Sequence, residues 1–160
     1  MNALKWVLLA LLVFLLQTQS ALIKDYLNLP VILVYYFGLK SYKRNYGQDY
    51  SGNKAALESM VFGAIIGLTE DVISGSVFGP GLLSKGLLGL LTPVVFTDMV
   101  FRWTPLWGAI IIVIFTLLDG IVVIGSRIPF TGIHVPGAVF FRVICLQSIM
   151  STPFGILLKP

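Results

Sequence analysis

The residues best suited to chemistry in this chain are three ionisable side chains within one apolar, glycine-rich stretch. Glu70 and Asp71 are adjacent, and Lys85 follows in the segment GLTEDVISGSVFGPGLLSK, residues 67–85. Two carboxylates can serve as general acid and base, but neighbouring residues on a helix point about 100° apart and cannot form a shared dyad. The pattern therefore favours ion pairing or recognition over carboxylate catalysis.

Other catalytic and metal-binding patterns do not occur in the sequence. The chain has one histidine, His134, and one cysteine, Cys145, which are too few ligands for a usual zinc site. Ser76 lacks the Gly-x-Ser-x-Gly surroundings of a nucleophile elbow, and GPGLLSKG lacks the spacing of a phosphate-binding loop. We therefore expect a protein that is not an enzyme and that uses no metal or cofactor.

The composition predicts an all-α integral membrane protein. The chain has 160 residues, of which 57% are hydrophobic and only 11% charged, whereas soluble domains average about 25% charged residues. Its net charge of +4 comes mostly from loops, so it indicates membrane topology rather than nucleic-acid binding. We expect about six transmembrane helices in a single domain covering residues 1–160, at about 5–23, 26–39, 57–74, 82–96, 106–124 and 137–158.

The positions of Lys and Arg predict the orientation of these helices. Cytoplasmic loops carry an excess of basic residues, so the basic segment 40–56 is expected in the cytoplasm, together with both termini. The N-terminal stretch also fits a secretory signal peptide cleaved after Ser20. Its apolar run continues to Ile23, which favours a retained first helix.

Charged residues within the predicted spans need partners or an interfacial position. The apolar residues of the third span contribute roughly −2 to −4 kcal/mol to insertion, and each central acid costs about +2.5 to +3.5 kcal/mol. Glu70 and Asp71 together would exceed that gain. Counting 1.5 Å of rise per residue, we predict an outer-leaflet polar cluster of two ion pairs with Glu70 beside them. The pairs are Asp71 with Lys85 and Asp119 with Arg142.

Small residues accompany the acids. Gly63 and Gly67 have the small-xxx-small spacing that permits close helix contact in membranes. Met60, Ala64, Gly67, Asp71 and Ser74 recur on one predicted helix face. The segment SGSVFGPG predicts a tight outer turn between the third and fourth spans.

The stretch FGAIIGLTEDVISGSVFGPGLLSKGLLGLL resembles the signature of the rod shape-determining protein MreD family. The resemblance covers a small-residue helix, an acid, a Ser-Gly-Ser sequence and a glycine-bearing turn into the next apolar helix. These positions are Gly67, Asp71, Ser74, Gly75, Ser76 and Gly79. Glu70 and Lys85 are not part of the family pattern.

The resemblance implies a non-enzymatic inner-membrane scaffold of the bacterial cell-elongation machinery. Its expected partners are an MreC-like single-span protein, membrane lipid and, indirectly, MreB, RodA and a class B penicillin-binding transpeptidase. It also implies a fold like that of the substrate-capturing subunits of energy-coupling-factor vitamin transporters. Such a subunit is the alternative function, although the first span has only Ala3, Ala10 and Ala21 and lacks the Ala-x-x-x-Ala spacing that those subunits typically use.

Overall fold

The computed structural model describes residues 3–19, 26–45, 53–75, 78–98, 104–131 and 137–158. Over these residues the chain forms six helices and no strand. The helices are α1 (Ala3–Gln19), α2 (Leu29–Asn45), α3 (Asn53–Ser74), α4 (Pro80–Asp98), α5 (Pro105–Thr131) and α6 (Gly137–Leu157). The all-helical prediction is therefore confirmed.

Local sequence signals explain several helix ends. Asn28 accepts a hydrogen bond from the Val31 N–H through its side chain (3.4 Å), as an N-cap residue does. Thr104 does the same for Trp107 at the start of α5 (3.3 Å). Both α4 and α5 begin with proline, whose fixed φ suits the first helical position.

The helix bounds differ most from the predicted ones at α5 and α2. Helix α5 was expected over 106–124 but runs on to Thr131. Helix α2 was expected over 26–39, but it begins at Leu29 and runs to Asn45. The start is later because Asn28 caps the helix. The end is later because Ser41 and Asn45 donate hydrogen bonds to Glu58 of α3, which holds the last turn. The basic segment that was expected to be a loop therefore begins as helix.

Helices α3 and α4 form an antiparallel pair with the most extensive contact in the structure. Glycine makes this approach possible, as added Cβ atoms show. A Cβ on Gly67 would lie 2.0 Å from the Gly81 carbonyl oxygen, and one on Gly63 would lie 2.1 Å from that of Lys85. A Cβ on Gly89 would lie 2.1 Å from the Ser59 carbonyl oxygen. The backbones thus touch at three successive levels, each four residues apart on both helices.

The other helices surround this pair. Helix α2 lies against both of its members and is the most buried helix, with Val31, Val34 and Leu39 almost inaccessible. Helix α6 packs on α5, where a Cβ on Gly155 would lie 2.4 Å from the Gly108 carbonyl oxygen. Helix α1 is peripheral and contacts α2.

Large aliphatic side chains are exposed on most helices, and several polar side chains are buried within a mainly apolar core. Five of the helices expose large aliphatic residues at helical spacing. These residues are Leu8 and Leu12 on α1, Ile65 and Val72 on α3, Leu83 and Leu87 on α4, Ile114 and Ile121 on α5, and Ile149 and Ile156 on α6. The buried residues include many polar ones: Asn28, Ser41, Asn45, Ser59, Asp71, Ser84, Lys85, Thr92, Thr116, Asp119, Ser148 and Ser151. Among the described residues, two segments, Pro80–Thr97 and Pro105–Ser126, are long and apolar enough to cross a membrane.

We predict that Gly67→Ala destabilises the protein by about 1–3 kcal/mol, since the new methyl group would overlap backbone that cannot move aside. The matched control is Gly86→Ala on α4. Its Cβ would meet the Ala64 Cβ at 3.6 Å, an ordinary contact, and alanine favours helix by up to about 1 kcal/mol. Unfolding of the purified protein in mixed micelles titrated with a denaturing detergent measures both. Equal stability of the two variants would contradict the close-contact interpretation.

Candidate functional site

Asp71 is bound to the N-terminus of the following helix. Its Oδ2 accepts a hydrogen bond from the Gly79 N–H at 2.9 Å. The Gly81 N–H lies 3.0 Å from both carboxylate oxygens, and the Leu82 N–H donates to Oδ2 at 3.3 Å. The one intervening residue, Pro80, has no N–H to offer. Asp71 therefore caps α4 from the neighbouring helix and satisfies its first amides.

The chemistry of this cap is charge-assisted. The first N–H groups of a helix have no partner within the helix, and the helix dipole favours a negative group at that end. Asp71 is buried, with 1% of its surface exposed, so a carboxylate here would be costly without those donors. The amides donate the hydrogen bonds that water cannot donate at this buried position.

Two glycines shape the chain between α3 and α4. Gly75 has φ of 59° and Gly79 has φ of 123°, and side-chain-bearing residues rarely adopt such values. Gly75 follows the last residue of α3 and is in the left-handed conformation that commonly ends a helix. The Ser74 hydroxyl donates to the Asp71 carbonyl oxygen at 3.1 Å. Ser76, which belongs to the predicted motif, lies outside the described residues.

A second polar group lies one turn further along α4. Lys85 Nζ is 2.7 Å from Glu70 Oε2 and 2.9 Å from Asp119 Oδ1. The Lys85 side chain is 1% exposed and that of Asp119 4% exposed, whereas Glu70 is 28% exposed. One ammonium group thus joins α3, α4 and α5, and Glu70 is the member that reaches the surface.

Two neutral side chains complete this arrangement, which we call the lysine cluster (Asn28, Glu70, Ser84, Lys85 and Asp119). Asn28 Nδ2 donates to Asp119 Oδ2 at 2.6 Å, and the Ser84 hydroxyl donates to Asp119 Oδ1. Asn28 also caps α2, so the cluster connects four helices. Both oxygens of Asp119 are hydrogen-bonded, as a buried carboxylate requires.

The structure corrects both predicted ion pairs. Asp71 was expected to pair with Lys85, but its oxygens are taken by backbone amides, and Lys85 instead contacts Glu70 and Asp119. Asp119 was expected to pair with Arg142, but Asp119 lies in the lysine cluster and Arg142 is exposed. The depth estimates ignored the rotation of each helix about its axis. They also ignored the tilt of helical side chains toward their own N-terminus, which carries the Lys85 ammonium to the level of Glu70.

The predicted small residues are divided between these features. Gly63 and Gly67 line the α3–α4 contact, and Gly75 and Gly79 shape the turn. Ser74 is exposed. The buried face of α3 carries Ser59 and Gly63 rather than the half-buried Met60 and Ala64 of the predicted face.

Sequence reasoning missed Asn28 and Ser84, and it did not place Gly81 beside Asp71. Asn28 had a readable signal, because an asparagine just before a Leu-Pro helix start is typical of an N-cap. Ser84 had none beyond its position next to Lys85. A Cβ on Gly81 would lie 2.7 Å from Asp71 Oδ1. The need for glycine at this position can therefore be recognised only once Asp71 is known to lie beside it.

Comparisons with known proteins add no family assignment: no family model, no curated protein and no solved structure matches the chain. Within the described part of the chain, no group of three His, Cys, Asp or Glu side chains could hold a metal ion. His134 lies outside that part, and Cys145 is exposed.

We predict that Asp71→Ala destabilises the protein by about 1–3 kcal/mol, because buried amides lose their acceptor. Asp71→Asn retains one acceptor oxygen and should cost less. The control is Thr69→Ala, two residues away, whose exposed hydroxyl bonds only the Ile65 carbonyl (2.8 Å) and whose loss should cost under about 0.5 kcal/mol. Titration with a denaturing detergent ranks the three variants by stability. If Asp71→Ala is as stable as Thr69→Ala, the capping role is excluded.

A double-mutant cycle tests the lysine cluster. Lys85→Met should cost about 3–5 kcal/mol, since it leaves the buried Asp119 carboxylate without its cation. Adding Asp119→Asn should recover part of that loss, with a coupling of about 0.5–3 kcal/mol. The cycle of Asp119→Asn with Arg142→Gln should be additive, because the structure does not join these residues. Coupling between Asp119 and Arg142, together with additivity between Lys85 and Asp119, would instead support the predicted Asp119–Arg142 pair.

Proposed function

We propose that the protein is a non-enzymatic, multi-pass scaffold of the bacterial cell-elongation machinery in the inner membrane. It would dock an MreC-like single-span protein and, through it, MreB, RodA and a class B penicillin-binding transpeptidase. The proposal rests on the structural roles of the residues that carry the resemblance to the MreD family. Gly67 allows α3 and α4 to touch, Asp71 caps α4, and Gly75 and Gly79 shape the chain between the two helices, so each of these residues has a structural role.

The membrane location is supported by the aliphatic side chains exposed along the helices. Monomeric soluble proteins rarely expose contiguous apolar patches larger than a few hundred Å², yet aliphatic stripes run along five of the helices. Ionisable residues within membrane spans generally face the interior of the bundle and pair with one another. Lys85 and Asp119 do so, and they are almost fully buried.

The turn also supports the docking role, because it presents an apolar side chain on a rigid base. Phe78 is 67% exposed and lies directly before Gly79 and the cap of α4. Val72 and Ile73, at the end of α3, are exposed as well. Rigid aromatic residues make good interface anchors because little conformational entropy is lost when they bind. We assign the partner's helix and its outer-side domain to this surface, which we call the turn surface (Val72, Ile73 and Phe78).

The scaffold interpretation also agrees with the state of the polar groups. Asp71 accepts hydrogen bonds from three amides, Asp119 contacts three side chains, and Lys85 contacts two carboxylates. Such mutual engagement holds helices in one register. Burial of charges carries a large desolvation cost, so this engagement contributes more to specifying one register than to stability.

One observation favours the alternative, a substrate-capturing transporter subunit. Glu70 is partly exposed while its partner Lys85 is buried, so a polar ligand could approach the lysine cluster from the side of Glu70. Against this, binding would require breaking contacts of 2.7 and 2.9 Å at Lys85. We therefore rank the scaffold first.

Depletion of the protein in its native cells tests the proposal. We predict that rods swell into spheres under the microscope and that defined vitamins in the medium do not prevent it. Cells that keep their width but require one added nutrient would replace the scaffold by the transporter subunit.

A rescue panel then separates folding from docking. Phe78→Ala should accumulate at the wild-type level, because Phe78 is exposed, but it should rescue shape poorly and co-purify less of the MreC-like partner. The matched control is Phe141→Ala, an equally exposed phenylalanine at 71%, on α6. If both variants rescue equally, the turn surface is not the docking site.

A further inference from the structure

A cavity of about 340 Å³ opens where α1 meets the C-terminal part of α2. This is the basic end of the bundle, opposite the turn surface, where α2 ends and α3 begins. The walls combine aromatic rings with cationic side chains: Trp6, Phe37, Lys40, Ser41, Lys43 and Arg44. Neither the fixed turn nor the lysine cluster contributes to it.

Basic side chains predominate among the described residues that line this cavity. Lys40, Lys43 and Arg44 belong to the lining, and Arg44 forms an ion pair with Glu58. Lys54, at the start of α3, is exposed at the same end of the bundle. An anionic ligand is therefore favoured.

The cationic wall is held in place by neighbouring groups. Arg44 forms an ion pair with Glu58, and the buried Ser41 hydroxyl donates to the same carboxylate at 2.9 Å. Asn45 Nδ2 donates to the Ser41 carbonyl oxygen at 3.0 Å. Lys40 Nζ lies 5.5 Å from the centre of the Tyr36 ring, in cation–π range. Less side-chain freedom is lost on binding when cations are positioned in advance.

The aromatic wall is equally ordered. The Trp6 ring meets Phe37 edge-on with centroids 4.8 Å apart, and Phe37 stacks on Phe62 at 4.0 Å. Tryptophan and tyrosine concentrate at the level of lipid headgroups in membranes. Next to Trp6 on the same face of α1, Leu9 is exposed, followed by Leu12. An aliphatic surface thus continues from the cavity along α1.

We infer that this cavity binds the phosphate headgroup of an acidic glycerophospholipid, whose acyl chains lie along α1. Basic pockets at the cytoplasmic side of membrane helices suit such headgroups. The shared chemistry is a phosphate oxyanion, which a soluble phosphate also offers, but the adjoining aliphatic surface selects the lipid. The inference requires the membrane location and is independent of the scaffold role.

The test is lipid binding to the purified full chain in detergent, counted by native mass spectrometry. Phosphatidylglycerol should remain bound at concentrations where phosphatidylcholine does not. Lys40→Gln and Lys43→Gln should each weaken phosphatidylglycerol binding about fivefold, from roughly 1 kcal/mol per basic residue near a headgroup. Lys54→Gln removes the same charge at the same end but outside the cavity, and it should have a much smaller effect.

Three outcomes would overturn the inference. Equal binding of the two lipids would show that charge does not select the ligand. An equal loss in Lys54→Gln would reduce the effect to the general surface charge of that end. Displacement of phosphatidylglycerol by inorganic phosphate would identify the ligand as a soluble anion. Because the readout is lipid binding rather than cell shape, failure here would leave the scaffold proposal standing.

Discussion

The structure depends on the direct backbone contact between α3 and α4. At three levels, glycine allows one helix to approach the other until a carbonyl oxygen lies where a Cβ would otherwise be. In the proposed membrane location there is no hydrophobic driving force between helices, so close van der Waals packing would have to supply the attraction. The contact also fixes the register of the pair. Asp71 thereby lies beside the first amides of α4, and Lys85 lies within reach of Glu70.

The lysine cluster extends that register to the rest of the bundle. Asp119 brings α5 to Lys85 of α4, and Asn28 brings the start of α2 to Asp119. A slip of one residue in any of these helices would separate a charged group from its partner at a buried position, at a cost of several kcal/mol. We therefore regard the cluster as a device for specifying one arrangement. Apolar residues of similar volume could give comparable stability but would define the register less sharply.

Much of the fold and part of the site could be predicted from the sequence. The six helices followed from apolar runs, and the α3–α4 contact followed from the spacing of Gly63 and Gly67. The grouping of Glu70 with Lys85 in one polar region followed from depth counted along each helix. The depth of a residue along a helix does not determine which way its side chain faces around the helix axis, and the partners of Asp71 depend on that direction. Backbone amides were also not considered as partners, although a helix N-terminus is a strong ligand for a carboxylate.

The two ends of the bundle differ in chemistry, and this difference bears on how one small protein could serve both lipid and protein partners. Near the turn, Asp71 is bound by backbone amides, and Lys85 and Asp119 are paired within the lysine cluster. The side chains of the turn surface, including Phe78, are apolar and exposed. At the opposite end, Lys40 and Arg44 remain at the surface beside a cavity. The distribution of basic residues predicts that this end lies in the cytoplasm. In the proposed topology, the apolar surface outside would meet the protein partner while the charged end would engage headgroups inside, so the two contacts would not compete.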